Sequence, residues 1–331
     1  VDKGVVRFKV PETGQTVIND KVLGTITIKH EEIEDFVIAR ADGTPTYNFT
    51  VVVDDALMGI THVIRGDDHV NNTPKQILIY EALGLSLPIF VHVPMILGPD
   101  KTKLSKRHGA TAVSSFRQVG YLPEALFNYL VRLGWSHGDQ EIFSKEELVQ
   151  LFDLDALGHS AAVLNMEKLN WLNAHYIKSM SAKDMAKRLC DESLVPEEFK
   201  KRVFDEDVQK LLPMVQERSK MLNDVYKGIE FFIKDEIVID ENAYKKHIGQ
   251  DVVPIIVDLI EGIKGIKDIS DHSSLEAVFK SLIEKHNIKL KVIAQACRVL
   301  ITGTDVSPGI FEIMALMGKD KVIKRLSLYN R

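Results

Sequence analysis

The stretch that decides the fold is ITHVIRGDDHVNNTPKQILIYEALGLSLPIFVHVPMIL, at residues 60–97. It opens with a compact apolar run at 60–65, which predicts a buried strand. Thr73-Pro74 has the form of a helix N-cap followed by a first-turn proline, and Gly84 predicts that this helix stops at about Leu83. A second apolar run at 90–97 predicts another buried strand. This strand–helix–strand order is typical of a parallel, doubly wound sheet.

The pattern changes on either side of this unit. Short β-rich stretches at 5–10, 24–29 and 35–39, with turn signals at Gly14 and Asp42-Gly43, predict antiparallel strands. Residues 101–180 mix short helices and loops, and helical spacing continues beyond Ser181 to the end. We therefore predict an α/β part followed by an all-α part, with regions at 1–46, 47–100, 101–180 and 181–331. The helical stretches are 182–194, 208–234, 252–263, 275–286, 290–300 and 307–317, with another from Lys319.

The composition is that of a soluble globular protein and excludes a fibre or a disordered chain. The 331 residues are 45% hydrophobic and 27% charged, with a formal net charge of −5, and predict two or three domains. No apolar run approaches the roughly 18 residues of a membrane span, and no signal-peptide pattern is present. Two distant cysteines, Cys190 and Cys297, exclude a disulfide scaffold and favour a reducing cytoplasm. The net charge disfavours a basic surface overall, but not a local basic groove.

Both predicted strands lead into chemically rich loops, where ligands bind in open α/β sheets. The first is followed by RGDDH at 65–69, and the second by GPDKTKLSKRHG at 98–109, with four cations in seven residues. This basic loop, opened by Gly and Pro, suits a polyphosphate, and solvated surface cations are the alternative. Asp67, Asp68 and His69 cannot all converge from an extended segment, so we predict a turn and helix cap there and no metal site in the chain.

The loop text Lys103-Leu104-Ser105-Lys106-Arg107 resembles the Lys-Met-Ser-Lys-Ser signature of class I aminoacyl-tRNA synthetases, with Leu for Met and Arg for the final Ser. Further segments run in the order found in bacterial glutamyl-tRNA synthetases, and the resemblance covers almost the whole chain. These segments are DGTPTYN (42–48), VVDD (52–55), VIRGDDH (63–69), GYLPEALFNY (120–129), LGWS (133–136) and TGTDVSPGIFEI (302–313).

The resemblance implies both a fold and an activity. The fold is α/β plus all-α: the end of an acceptor-binding insertion (1–46), the second half of a class I nucleotide-binding, Rossmann-like fold (47–100), the signature loop with a stem-contact region (101–180), and an α-helical anticodon-binding region (181–331). The activity is that of a glutamate–tRNA ligase. Such an enzyme uses ATP to activate L-glutamate as glutamyl-adenylate and then transfers the glutamyl group to tRNA(Glu).

Catalytic roles in the basic loop also follow from the resemblance. Lys106, and with it Lys103, would neutralise the charge that develops on the departing pyrophosphate, and Lys106 would bind ATP. Ser105 would shape the loop or donate to phosphate, with an ordinary turn hydroxyl as the alternative. Magnesium would arrive with ATP.

Two further residues belong to the glutamate pocket by resemblance. The guanidinium fork of Arg65 can hold a carboxylate bidentately, and Tyr47 offers a hydroxyl. The alternatives are a surface ion pair of Arg65 with Asp67 or Asp68, and a core aromatic role for Tyr47. The sequence does not say which glutamate carboxylate Arg65 would meet.

The other class I signature, His-x-Gly-His, does not occur in the 331 residues. In the family this signature lies upstream, with the first half of the nucleotide fold and part of the glutamate pocket. We therefore expect the chain to be a carboxyl-terminal fragment with an incomplete active site, inactive by itself. A tRNA-binding fragment without catalysis is the alternative.

An all-helical tail resembles the anticodon-binding region of bacterial glutamyl enzymes. Arg218 falls where the family has an anticodon-reading arginine, and an exposed arginine paired with a neighbouring acid is the alternative. The basic C-terminus (Lys319, Lys321, Lys324, Arg325, Arg331) predicts a solvated helix face or a contact with tRNA phosphate. The implied partners are tRNA(Glu), ATP and L-glutamate, with no membrane, and the protein is expected to be a cytoplasmic monomer. An enzyme that also charges tRNA(Gln) is a second alternative.

Overall fold

The structure is a computed structural model that describes residues 4–105 and 112–330. Its strands are β1 (Val6–Phe8), β2 (Gln15–Asp20), β3 (Gly24–Lys29), β4 (Phe36–Ala39), β5 (His62–Gly66) and β6 (Ile89–Val93). Its α-helices are α1 (Tyr47–Leu57), α2 (Thr73–Ala82), α3 (Val113–Val119), α4 (Pro123–Gly134), α5 (Lys145–Leu151), α6 (Met166–Ser179), α7 (Ala182–Asp191), α8 (Glu206–Gln216), α9 (Leu222–Ile233), α10 (Glu241–His247), α11 (Val253–Gly265), α12 (His272–His286), α13 (Leu290–Thr302), α14 (Ile310–Met317) and α15 (Lys319–Leu326).

The chain divides into two compact units, residues 1–113 with 126–166, and residues 114–125 with 167–331. Within the described residues, every strand lies in the first unit, and the second is built from helices. The predicted α/β part followed by an all-α part is therefore confirmed, whereas the boundaries at residues 46, 100 and 180 stay predictions. In the part of the chain that the structure describes, no helix has the length and apolar character needed to cross a bilayer.

The predicted strand–helix–strand unit is present in the first unit. β5 and β6 pair in parallel, from His62 opposite Ile89 to Gly66 opposite Val93. α2 connects them, and the chain leaves this helix through Gly84, whose φ of +65° lies in the left-handed region that favours glycine. The second strand ends at Val93, earlier than predicted, because Pro94 has no N–H to continue the ladder.

Strand β2, which sequence reasoning missed, lies against this unit. It pairs antiparallel with β3, and Lys21 N, just beyond its end, donates to Phe90 O on β6 at 3.1 Å. Ile18 of β2 packs with Ile77 of α2 and Phe90 in a small buried cluster. This packing brings Asp20, the last residue of β2, next to His92 near the carboxyl end of β6.

The second unit has one continuous hydrophobic core that extends from α7 to α15. The single helix predicted over 208–234 is wrong, because the chain breaks between α8 and α9. Ser219 Oγ donates back to Val215 O at 2.8 Å, and Asp224 Oδ2 accepts from Met221 N at 2.9 Å at the start of the new helix. These side chains satisfy the backbone groups at the two helix ends and so specify two helices.

The basic C-terminal segment is tied to the ends of other helices. Lys319 Nζ donates to Ile266 O, Lys321 Nζ donates to Phe232 O, and Arg325 Nη2 donates to Lys234 O, each at 2.8 Å. These carbonyls lie at the C-terminal ends of α11 and α9, which lack intrahelical partners for their last carbonyls. For these three residues, the expected solvated helix face is therefore wrong, whereas the alternative of a contact with tRNA phosphate stays a prediction. Lys324 is exposed, and Arg331 lies outside the described residues.

Candidate active site

Arg65 lies near the carboxyl end of β5, and three buried side chains hold its guanidinium. Its Nε donates to His92 Nε2 at 3.1 Å, and its Nη2 donates to Thr73 Oγ1 at 2.9 Å and to Gln76 Oε1 at 2.8 Å. Those three side chains are at most 2% exposed. These contacts use Nε and both hydrogens of Nη2, and Tyr47 adds a further side-chain hydrogen bond to the guanidinium. The bidentate hold on a carboxylate that the sequence predicts for this guanidinium stays a prediction.

Burial and neighbouring charges shift the pKa of Arg65 in opposite directions. Burial lowers the pKa of the guanidinium, while Tyr47, Asp55 and Asp20 act to raise it. Burial also raises the pKa of Asp55, although Arg65 acts to lower it. Arginine stays protonated at any pH of interest, so the end of β5 presents a partly desolvated cation. An anion bound there would interact more strongly than one on an open surface.

Tyr47 is the first residue of α1 and lies beside this cation. Its side chain is 52% exposed, so the alternative of a core aromatic is wrong. Its hydroxyl is 3.5 Å from His69 Nδ1 and is close enough to Arg65 to act on the pKa of the guanidinium. The structure therefore brings together Tyr47 and Arg65, the two residues predicted for the glutamate pocket.

Behind Arg65 lies a buried His–Asp pair that sequence reasoning missed. His92 Nδ1 is 2.6 Å from Asp20 Oδ2, and neither side chain is exposed. Burial acts to raise the pKa of Asp20, but hydrogen bonds from Leu23 N, His92 and Val22 N outweigh it, so the pKa is lowered. Because the two residues are 72 positions apart, no local pattern links them.

The loop after β6 folds back on itself as a tight hairpin. Leu104 N donates to Ile96 O at 3.0 Å, and Gly98 N donates to Thr102 O at 2.8 Å. Asp100 Oδ1 accepts from Thr102 N and Oγ1 inside the turn. Lys101 and Lys103 are thus carried on a defined turn rather than on an extended segment.

Lys103 links this loop to the segment after β5. Its Nζ is 3.0 Å from Asp68 Oδ2, and this hydrogen bond lowers the pKa of Asp68 below its ordinary value. Both side chains are well exposed, so solvent screening makes the contribution of the pair to stability small. Asp68 bonds to Lys103 and not to Arg65, which removes one alternative for Arg65. Ser105 is half-buried, and Lys106 lies outside the described residues.

The segment Asp67–Asn72 forms a 3-10 helix that leads directly into α2. This agrees with the expected turn, but the helix cap itself differs, because Asn72 is the N-cap and Thr73 is already helical. Within residues 4–105 and 112–330, no group of three or more His, Cys, Asp or Glu side chains is arranged to hold a metal ion.

Arg218 lies just after α8 in the second unit and faces the loop before α14. Its Nη1 donates to Ser307 O at 2.8 Å, and Arg298 Nε donates to Ser307 Oγ, also at 2.8 Å. Burial, and then the nearby charge of Arg218, lower the pKa of Arg298. Arg218 therefore pairs with a backbone carbonyl beside a second arginine. The alternative of an ion pair with a neighbouring acid is wrong, since Glu217 bonds to Lys178 instead.

Sequence reasoning found the two ends of the site but missed the residues that hold Arg65 in place. These were Asp20, Thr73, Gln76 and His92. In the second unit, sequence reasoning also missed Arg298, which lies beside Arg218. Thr73 and Gln76 both lie on α2 at helical spacing, so their common face could have been predicted. The other three are joined to their partners only by tertiary contacts.

Two family models match the chain. The catalytic domain of class I tRNA synthetases (E and Q) matches residues 2–171, and an anticodon-binding domain matches residues 182–329. Among curated relatives, the glutamate–tRNA ligase of Geobacter sulfurreducens is 51% identical over 326 residues, and glutamate–tRNA ligase 1 of Syntrophus aciditrophicus is 50% identical over 331 residues. In both cases the match covers 97% of this chain and 68% of the relative.

A solved structure agrees with these matches. The glutamate–tRNA ligase from Elizabethkingia meningosepticum, in complex with its amino acid, is 30% identical and superposes with a TM-score of 0.81. The superposition covers 98% of this chain and 68% of that protein. The chain thus spans about two thirds of the length of the relatives it matches.

Proposed function

Because the chain belongs to the class I glutamyl- and glutaminyl-tRNA synthetase family, we propose that it is part of a glutamate–tRNA ligase. It corresponds to the region that it shares with its longer relatives. In the first step, the α-carboxylate of glutamate attacks the α-phosphorus of ATP, and pyrophosphate leaves. In the second step, a hydroxyl of the terminal ribose of tRNA(Glu) attacks the glutamyl carbonyl, and AMP leaves. Such a reaction depends mainly on positioning and on charge stabilisation.

The observation that carries this proposal is the arrangement of Arg65. A guanidinium held by three buried side chains at the carboxyl end of a parallel strand is a preorganised anion site where α/β sheets bind ligands. These contacts hold the guanidinium beside the Tyr47 hydroxyl, and we infer that it binds a carboxylate of the ligand. We assign Tyr47 and Arg65 to glutamate.

The basic loop supplies the second half of the proposed site. We assign Lys103, Ser105 and Lys106 to the departing pyrophosphate, with Lys106 also binding ATP. The Lys103–Asp68 pair supports this assignment, because it brings the loop after β6 next to the segment that follows Arg65. Mg²⁺ would enter bound to the ATP phosphates. We further propose that the enzyme acts as a monomer in the cytoplasm.

The loop assignment is tested by comparing Lys106→Gln with Lys101→Gln in the full-length protein. Lys101 belongs to the same basic stretch of sequence and is exposed, so its substitution removes an equal charge from the loop. We expect Lys106→Gln to lower glutamate-dependent ATP–pyrophosphate exchange about 100- to 1,000-fold, as for the loss of one donor to a developing charge. Affinity for tRNA should stay nearly constant. Equal exchange rates for the two variants would contradict the role of Lys106.

The second candidate is tRNA binding without catalysis by the 331-residue chain. The observation that favours it is that this chain spans 68% of its relatives, while an anticodon-binding domain matches residues 182–329. Measuring tRNA binding and ATP–pyrophosphate exchange on the same sample separates the two. Binding without exchange is the expected result, and exchange by the 331 residues alone would show that they hold a complete site.

A further inference from the structure

We propose that Asp20 and His92 are positioning residues for glutamate binding: Asp20 fixes the tautomer of His92, and the imidazole then holds the guanidinium of Arg65. The inference rests on the proposed function only in taking Arg65 as the group that meets glutamate. Neither Asp20 nor His92 touches a ligand site, so both act through Arg65.

The hydrogen-bond geometry assigns the tautomer of His92. The Nε of an arginine can only donate, so His92 Nε2, 3.1 Å away, must be the acceptor. The imidazole proton therefore lies on Nδ1 and is donated to Asp20 Oδ2 at 2.6 Å. Hydrogen bonds thus run in one direction, from Arg65 to His92 to Asp20.

Asp20 is itself held rigidly. Its Oδ1 accepts from Val22 N and Leu23 N, both at 2.9 Å, and its Oδ2 accepts from His92 N at 3.1 Å. One carboxylate therefore closes the turn after β2 and fixes both the backbone and the ring of His92. Burying a carboxylate costs free energy unless its oxygens accept hydrogen bonds. Here the hydrogen bonds that Asp20 accepts also hold it in place against the ring of His92.

The charged and titratable groups around this pair are few. Asp20 faces the imidazole from β2 and Arg65 faces it from β5, while α2 contributes the uncharged Thr73 hydroxyl, 3.1 Å from Nε2. Without a tautomer fixed by Asp20, Nε2 could carry a hydrogen and point it at the Nε–H of Arg65. Two donors would then meet, and the guanidinium would lose its orientation.

Asp20→Asn tests this mechanism, since the Asn oxygen can keep the contacts to Val22 N and Leu23 N. The NH₂ group of Asn would then face His92 Nδ1. Because Nδ1 must accept that hydrogen bond, the ring proton moves to Nε2. In the full-length protein we expect the KM for glutamate in ATP–pyrophosphate exchange to rise on the order of 10- to 100-fold. The KM for ATP and kcat should change less than about threefold, because Arg65 contacts only the amino acid.

A double variant separates this role from a merely structural one. In His92→Gln the side-chain amide oxygen can accept from Arg65, and an amide has no tautomer for Asp20 to fix. Asp20 should therefore no longer affect the orientation of Arg65. We expect Asp20→Asn to raise the KM for glutamate strongly in the native background and by less than about twofold in the His92→Gln background. Equal effects in both backgrounds would overturn the proposal.

A matched control is available in the second unit. His286 Nε2 and Asp258 Oδ2 are also 2.6 Å apart, and Asp258→Asn should leave the KM for glutamate unchanged. If Asp20→Asn does not fold, the ¹⁵N chemical shifts of the His92 ring in the native protein still show which nitrogen carries the proton. A proton on Nε2 would overturn the proposal. An inactive native enzyme would refute the proposed function instead, and a native KM in folded Asp20→Asn would refute only this inference.

Discussion

Arg218 shows how a single side chain can be placed by its partners. Its Nη1 bonds to Ser307 O, and Arg298 bonds to the hydroxyl of the same residue. Two guanidinium groups thus bond to the same residue of one loop, although Asp305 nearby acts to raise the pKa of Arg298. Guanidinium donors favour an anion or a base with acceptor groups. This arrangement supports the proposal that Arg218 reads the anticodon.

Arg218→Gln should therefore affect anticodon variants of tRNA(Glu) unequally in charging assays. A lost base contact costs about 1–3 kcal/mol for the base that it reads and little for the others. Arg202→Gln is the matched control, because Arg202 is an arginine of the same unit whose partner is Asp235. A uniform loss of charging across all anticodon variants would indicate that Arg218 contacts only phosphate. Including tRNA(Gln) shows whether the enzyme discriminates between the two tRNAs.

At the scale of elements, basic side chains of α15 bind the C-terminal ends of two other helices, α9 and α11. Lys321 of α15 donates to Phe232 O at the end of α9 and lies 5.6 Å from the centre of the Phe232 ring. Burial, followed by the charges of Arg202 and Arg325, lowers the pKa of Lys321 to about 8. The folded state therefore binds fewer protons than the unfolded state between about pH 8 and the ordinary lysine pKa of 10.5.

Stability should consequently rise with pH across that window, because there the unfolded state takes up the additional proton. We expect the free energy of unfolding to increase less between pH 7.5 and pH 10 in Lys321→Met than in the native chain, measured by urea denaturation. Lys324→Met is the control, since Lys324 is exposed on the same helix and should keep the native slope. Identical slopes in all three proteins would contradict the effect of burial.

At the scale of the whole molecule, the two units have cores of different kinds. The second unit has one continuous core, whereas buried residues of the first unit form separate, smaller clusters. Among the described residues, the parallel sheet of the first unit has two strands, and Ile64 on β5 is 51% exposed. Parallel sheets usually have both faces covered, so the first unit should be the less stable of the two.

The two tryptophans allow this difference to be measured. Trp135 is buried in the first unit beside Phe143, and Trp171 is 52% exposed in the second. In the 331-residue chain carrying Trp171→Phe, we expect Trp135 fluorescence to change at a lower urea concentration than the helical circular dichroism. In the Trp135→Phe chain, the two signals should coincide. Coincident transitions in both variants would show that the units unfold together.

The sequence by itself determined the α/β and all-α division, the β5–α2–β6 unit and the two loops that follow its strands. Each is encoded locally, by apolar periodicity, by Gly and Pro signals, or by a contiguous motif such as Lys103-Leu104-Ser105. It also predicted Tyr47 and Arg65, because the segments around them are contiguous.

Only the tertiary structure decided how Arg65 is held and what the C-terminal cations do. Asp20 and His92 meet because β2 packs against β6, and Lys321 meets α9 because the helices share a core. The same packing decides that Arg218 bonds to a loop 89 residues away. A side chain's partner depends on which elements pack together, and this information is spread over the whole core rather than written beside the residue.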